Sequence, residues 1–194
     1  ISNKFNDIQL KYLLGDHQKE NAALAINLIQ LLNSHNLINI PPRNIYKAIV
    51  SSQWPGRFQQ ISTSPKIIFD VCHNTDSIKM FYKNIIIHNS STDKYLVCGF
   101  EQNKDIKQEL KKISHMFKMI ICTETNIRKS MKTSEINNIF IGSSIHVKCI
   151  KNPIEAIKTA IKYCNKKDEI YIIGSHFFGP YIAKQFKNCF AIED

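Results

Sequence analysis

Lys66-Ile67-Ile68-Phe69-Asp70-Val71-Cys72-His73-Asn74 is the stretch that decides how the rest of the chain is to be read. Its apolar run is too short for a helix, and it lacks the alternation of a strand with one wet face. A strand buried on both faces fits it, ending at Asp70. Ile78, Phe81, Tyr82 and Ile85 follow at helical spacing. The same unit then recurs. Tyr95-Leu96-Val97-Cys98 predicts a strand closed by Gly99, and Ile106, Leu110, Ile113 and Phe117 predict the helix after it. Met119-Ile120-Ile121-Cys122 predicts another strand, followed by a polar helical stretch over 133–139. A brief strand over 146–149 leads to a helix with Ile154, Ile157, Ile161 and Cys164 on one face. Ile170-Tyr171-Ile172-Ile173 is the last strand, ending at Gly174-Ser175, before a helix over 181–187. Near-continuous apolar strands alternating with amphipathic helices imply an α/β fold, a mostly parallel sheet with helices on both faces. In such sheets ligands sit beyond the carboxyl ends of the strands, where Asp70, Gly99 and Gly174-Ser175 fall.

Upstream, the pattern is purely helical. After Gly15-Asp16-His17-Gln18, residues Ala22, Ala25, Ile26, Ile29 and Leu32 recur on one face. Ser34-His35-Asn36 and Pro41-Pro42 end that helix and mark a domain edge near residue 40. A short helix over 44–50 and the turn Trp54-Pro55-Gly56-Arg57 connect to the first strand.

Composition narrows the function. The 194 residues are 43% hydrophobic, enough for one substantial core and against disorder. No apolar run approaches the roughly 18 residues of a membrane span, so no membrane partner is expected. The start, Ile1-Ser2-Asn3-Lys4, has neither an initiator Met nor a signal region and reads as a cut inside a longer chain. A net charge of +10 suggests a polyanion partner, but the lysines are scattered from Lys4 to Lys187 without a dense block. They read as solvated surface, and no nucleic-acid partner is expected. The six cysteines form no Cys-x-x-Cys pair and lie mostly in apolar runs. They read as buried small hydrophobes in a reduced, cytoplasmic protein, with no metal site.

Four segments carry chemistry. Asp70 and His73 lie three apart in a loop entering a helix, where both could face one ligand; alternatively Asp70 or Asn74 caps that helix. Arg57 sits in the turn Trp54-Pro55-Gly56-Arg57-Phe58, its planar fork suited to a phosphate, or it is an exposed surface Arg. Asn21, after Gly15-Asp16-His17-Gln18, offers an amide donor and acceptor suited to a base edge, or the segment simply caps the helix. Asn103-Lys104-Asp105 follows a strand-ending Gly-Phe. Gly174-Ser175-His176-Phe177-Phe178-Gly179 has the glycine spacing of a phosphate-binding loop but continues Pro180-Tyr181, without the required Lys and hydroxyl, so it is not a phosphate cradle.

The order of these segments is specific: Gly-x-His-Gln-x-x-Asn-Ala-x-x-Ala, Trp-Pro-Gly-Arg-Phe-Gln, a strand into Asp-x-x-His-Asn, a strand and Gly with Lys-Asp-Ile, and a strand ending Gly-Ser. From about Gly15 onward, this succession resembles the folylpolyglutamate synthase/dihydrofolate synthase family of the wider Mur ligase group. The resemblance implies a Rossmann-like carboxy-terminal domain over 41–194, with residues 1–40 the end of a central ATP-binding domain. It implies an ATP- and magnesium-dependent ligase that joins L-glutamate to dihydropteroate or a folate through an acyl phosphate. Motif matching gives Asn21 the adenine side, Arg57 the phosphates, Asp70 the ribose or phosphates, and His73 the same pocket. Ser175 would belong to the glutamate-side surface. Cys72 stands where the family usually has Ala. The phosphate loop, the magnesium ligands and a carbamylated lysine would lie in the central domain upstream, the remaining partner, so this stretch alone should not complete the reaction. The alternatives are another Mur-type amino-acid ligase of cell-wall synthesis, favoured less by the Gly-Arg and Lys-Asp motifs, a non-catalytic basic nucleic-acid-binding domain, and a stand-alone Rossmann-like binding domain with no catalysis.

Overall fold

The computed structural model describes residues 8–88, 90–125 and 129–191 and divides into two compact units, Ile1–Pro55 and Gly56–Asp194. The division falls between Pro55 and Gly56, and the short second helix packs with the first inside one unit.

In the first unit, α1 (Asp16–Ser34) and α2 (Pro42–Val50) bury Ile8, Ile26 and Ile45 against one another, with Ile29 and Ile49 alongside. Asp16 in its first turn complements the amino end of α1. The helix stops where Asn36 takes a left-handed backbone (φ 56°), a conformation Asn tolerates better than most residues. Asn33 then clamps the exit, donating to the Ile40 carbonyl (2.7 Å) and accepting from the Ile40 amide (2.9 Å).

The second unit is a six-stranded sheet in the order β1-β2-β6-β3-β4-β5. Its strands are β1 (Gln59–Thr63), β2 (Lys66–Asp70), β3 (Lys94–Cys98), β4 (Met119–Cys122), β5 (His146–Cys149) and β6 (Glu169–Ile173). All pairings are parallel except β1 with β2. One face is covered by α3 (Thr75–Ile87), α4 (Lys107–Ile113) and α5 (Thr133–Asn138), through Ile78, Phe81, Ile85, Leu110, Ile113 and Ile136. The other is covered by α6 (Pro153–Tyr163) and α7 (Gly179–Gln185), through Ala156, Ile157, Ala160 and Ile182. The expected fold class, a Rossmann-like mostly parallel sheet covered on both faces, is the one observed.

The predicted strands and helices of this unit are present within a few residues of their expected bounds. β1 was not expected. Its sequence, Gln-Gln-Ile-Ser-Thr, has one strongly apolar residue because it is an antiparallel edge with little to bury, and its register shifts between Gln60 and Ser62. The cysteines also divide. Cys72, Cys98 and Cys122 are buried, as expected, whereas Cys149 is exposed and Cys164 and Cys189 are half-buried. Among the described residues no helix is long and apolar enough to cross a membrane.

One consequence of the strand order positions the site. The chain leaves β2, passes through α3 and re-enters the sheet at β3, and the last strand, β6, fills the gap between them. The carboxyl ends of β2, β6 and β3 therefore lie side by side where the chain leaving β6 goes to the opposite face from the chains leaving β2 and β3, the usual place for a ligand in an open α/β sheet.

Candidate functional site

Asp70, the last residue of β2, anchors this edge. Its Oδ2 accepts the Phe58 amide at 2.9 Å, and its Oδ1 accepts the Cys72 amide at 2.8 Å. Beside it the Val71 amide donates to the Gly56 carbonyl at 2.9 Å. The residues on either side of Arg57 are thus fastened to the end of β2. The backbone there suits few sequences. Gly56 has φ 77°, and a Cβ on it would lie 2.6 Å from Val71 Cγ1 and 2.9 Å from Phe69 Cε1. Phe58, also left-handed (φ 47°), is held by burial of its ring among Phe81, His88 and Tyr171. Gln59 closes the turn from below, accepting the Gly56 amide (2.9 Å) and donating to the Cys189 carbonyl (2.8 Å). Between two buried neighbours, Arg57 is exposed at the tip.

The same carboxylate shapes the other side. By holding the Cys72 amide it bends the chain into a turn that carries His73. His73 Nδ1 lies 2.9 Å from the Val71 carbonyl. A carbonyl only accepts, so Nδ1 bears the proton and Nε2 remains the ring's acceptor when neutral. Asn74 is the cap of α3: its Oδ1 accepts the Ser77 amide at 2.9 Å, and Ser77 answers with its hydroxyl in a capping box. Of the two readings of this segment, capping belongs to Asn74 and not to Asp70. Burial pushes the Asp70 carboxyl up to about 6, against the Cys72 and Phe58 amides and the nearby Arg57 guanidinium, which favour the charged form.

The neighbouring strand ends close the rim. Gly174 (φ 115°) follows β6, and a Cβ there would run into the Gly99 carbonyl oxygen after β3, so only glycine lets the two loops meet. Ser175 is fully buried, and its hydroxyl accepts the Phe177 amide at 3.2 Å as the cap of a short 3-10 turn. The Lys104-Asp105 segment meets the amino end of α3, where Thr75 Oγ1 donates to the Asp105 carbonyl at 2.7 Å. Asn21 belongs to the other unit, exposed on α1 with its amide donating to Gln18 at 3.3 Å. The structure thus holds the chain beside Arg57 and beside His73 to the Asp70 carboxylate, through the Phe58 and Cys72 amides, and gives Ser175 an inward, capping role.

The reading of the sequence passed over Glu124, two residues past β4. It is buried, accepts the Thr133 amide at 3.1 Å and lies 3.5 Å from Lys132 Nζ. Burial opposes its charge, but the Thr133 amide and the Lys132 and Lys151 cations outweigh burial and hold the carboxyl below its ordinary value. Its signal was available: an acid just past an apolar strand, as at Asp70. Among the described residues no group of three or more His, Cys, Asp or Glu is arranged to hold a metal ion.

Residues 56–176 match the family described as Mur ligase, glutamate ligase domain, which covers most of the chain, so the chain belongs to the Mur ligases. Two of the relatives it matches are described as dihydrofolate synthase/folylpolyglutamate synthases. The chain is 34% identical over 173 residues to the dihydrofolate synthase/folylpolyglutamate synthase of Buchnera aphidicola from Acyrthosiphon pisum, covering 87% of this chain and 40% of that protein. The enzyme of the same description from Bacillus subtilis is 23% identical over 184 residues, 94% of this chain and 42% of its own length. Among solved structures, E. coli FolC in complex with DHPP and ADP superposes with a TM-score of 0.75 at 21% identity, over 92% of this chain and 40% of that one. The Mycobacterium tuberculosis folylpolyglutamate synthase complexed with ADP and AMPPCP gives 0.75 at 18% identity, over 93% and 42%. The chain spans about two fifths of the length of these relatives.

Proposed function

We propose that this chain is the nucleotide-closing portion of an ATP-dependent ligase that adds L-glutamate to dihydropteroate or folates. The observation that carries this reading is the Gly56–Phe58 turn, bonded at both ends to the Asp-x-x-His loop. With the backbone already fixed, no loop has to be ordered when the exposed guanidinium grips an anion, which lowers the cost of a phosphate clamp to that of the side chain itself. In this reading Arg57 offsets charge as the γ-phosphoryl passes to the acceptor carboxylate, and glutamate's amine then displaces phosphate from the acyl phosphate. His73, with Nδ1 committed to the Val71 carbonyl, presents Nε2 to the same pocket. Asn21 takes the adenine side and Ser175 the glutamate side. The described residues do not fit a magnesium site, so no step is assigned to the metal through this chain.

The domain reading extends this. Residues 1–40 are taken as the end of a central ATP-binding domain, and 41–194 as the Rossmann-like domain that closes over it. In support, α1 buries Ala22 and Ile26 yet exposes Leu24, Leu28 and Leu31, so it has apolar surface for a second layer.

The test is incorporation of labelled glutamate into dihydropteroate and tetrahydrofolate by the chain joined to its central domain, with Arg57→Ala beside it. A drop of about 100-fold or more in the variant is expected, the scale on which loss of one transition-state donor acts. Incorporation into neither acceptor by a folded, ATP-binding protein sinks the folate reading in favour of another Mur-type acceptor.

A further inference from the structure

We infer that Cys122 and Cys149 form a reversible oxidation site, in which Cys149 meets a peroxide and Cys122 closes a disulfide with it. The site does not depend on the ligase reading. It starts from the register of three neighbouring strands. Cys98, Cys122 and Cys149 are the last residues of β3, β4 and β5, and each is the register partner of the next. Partners in a parallel pair point to the same face of a sheet. Here it is the face under α5. Cys98 and Cys122 lie in the core beneath that helix, and the Cys149 Sγ donates to the carbonyl of Thr133, the first residue of α5, at 3.6 Å. The Cys122 thiol is bonded to Cys98 on one side and to Cys149 on the other.

Position separates the two pairs. Neighbouring strands lie about 4.7–4.9 Å apart, within the roughly 4.4–6.8 Å that separates the Cα atoms of a disulfide. The Cβ atoms must come closer, to about 3.5–4.5 Å, so one strand has to lean toward the other. β3 and β4 are each held by a strand on either side, whereas β5 is an edge that ends at Cys149 and can yield. Exposure makes the same selection: Cys98 and Cys122 are fully buried, and Cys149 is exposed. A disulfide that draws an edge strand inward is strained and easily reduced, which suits a reversible bond better than a structural one.

The chemistry balances on one hydrogen peroxide. The Cys149 sulfur attacks it, an S–O bond forms as the O–O bond breaks, and a sulfenic acid and water result. That sulfur gives up the two electrons the peroxide gains. The Cys122 sulfur then attacks the Cys149 sulfur, the S–S bond forms, and the S–O bond breaks. The hydroxide leaves with the Cys122 proton as a second water. The bond to Cys98 and burial push the Cys122 thiol up, and burial and Cys122 push the Cys149 thiol up, so the reaction is slow at neutral pH and quickens in alkali. The groups facing the Cys149 thiol are Cys122 and the Thr133 carbonyl.

The experiment treats the full chain with hydrogen peroxide in mildly alkaline buffer, blocks the remaining thiols, and maps a digest without reductant by mass spectrometry. The expected product is a cross-linked pair of peptides carrying Cys122 and Cys149, which dithiothreitol separates. Cys98→Ala should keep that product. Cys122→Ala should lose it and leave Cys149 as a sulfenic acid that dimedone captures. Wild-type protein overturns the inference in any of four ways: Cys149 oxidised while Cys122 stays a thiol, Cys149 bonded to another cysteine of this chain or of a second copy, Cys122 bonded to Cys98, or Cys149 left unoxidised by excess peroxide. The map of wild type decides even where Cys122→Ala fails to fold.

Discussion

The neighbouring strands β2 and β6 hold an acid at opposite ends, Asp70 half-buried and Glu169 buried, and the two acids are treated in opposite ways. At the amino edge, Glu169 lies opposite Lys66, whose Nζ donates to it at 2.8 Å, and Tyr171 donates its hydroxyl at 2.7 Å. Burial alone would raise this carboxyl, but the Lys66 ion pair and the phenol outweigh it, and Glu169 sits below its ordinary value. At the carboxyl edge, Asp70 has two amides and the more distant charge of Arg57, and burial prevails. One edge spends its polar groups on one another. The other keeps a cation exposed and an acid incompletely compensated, at a cost in stability. That contrast separates a structural edge from a binding edge in a sheet whose interior is uniformly apolar.

The largest expected effect breaks the amino edge. Lys66→Met leaves the Glu169 carboxylate buried without its cation, with the Tyr171 and Ser90 hydroxyls beside it. Removing one partner of a buried pair costs about 3–5 kcal/mol, and the partial exposure of Lys66 places this case at the lower end, about 3 kcal/mol. Urea unfolding at neutral pH measures it. Because the folded-state pKa of Glu169 is lowered, the stabilisation is present above 4.5 and is lost as pH falls through the lowered value, so the variant and wild type should converge in acid. A loss below about 1 kcal/mol would mean that the pair behaves as an exposed one.

Asp70 should show the reverse slope. Its folded pKa of about 6 lies above the ordinary 3.8, so the folded state binds the proton more tightly than the unfolded state does. Its contribution to stability is complete below 3.8 and is lost as pH rises through about 6. Relative to Asp70→Asn, wild type should lose roughly 2–3 kcal/mol across that window, the equivalent of about two pKa units. Parallel stability profiles for the two proteins would remove the difference between the edges.

Much of this contrast could be read from the sequence, and the unread part has physical causes. Strands β2, β3, β4 and β6 are buried on both faces, so their apolar runs announce them, and the residue ending each run marks the carboxyl edge. Arg57, Asp70 and His73 stand out as candidates in the sequence because a Pro-Gly-Arg turn and an acid at the end of an apolar run mark them. β1 gave no signal, since an edge strand is specified by its partner's backbone and not by burial. The partnership of Lys66 with Glu169 could not be seen, because it depends on β6 inserting beside β2, a matter of topology. Nor does spacing reveal that the Ser175 hydroxyl turns inward, which follows from the left-handed Gly174 before it.

Ser175 also supplies the smallest and sharpest comparison. Tyr171→Phe at the amino edge and Ser175→Ala at the carboxyl edge each remove one hydroxyl, and each should cost about 1 kcal/mol. Their pH signatures should differ. Without the Tyr171 hydroxyl, the Glu169 carboxyl rises toward its ordinary value, so the acid limb of the stability curve shifts to higher pH. The Ser175 hydroxyl accepts the Phe177 amide, a partner that does not ionise, so removing the hydroxyl should lower the curve evenly. The same variant tests whether the carboxyl edge is assembled from separate structural and binding residues. A stability loss with an unchanged KM for glutamate makes Ser175 a cap that shapes the rim from within. A raised KM at unchanged stability means that its hydroxyl turns toward substrate when the site fills, and that this edge, unlike the other, rearranges its hydrogen bonds to work.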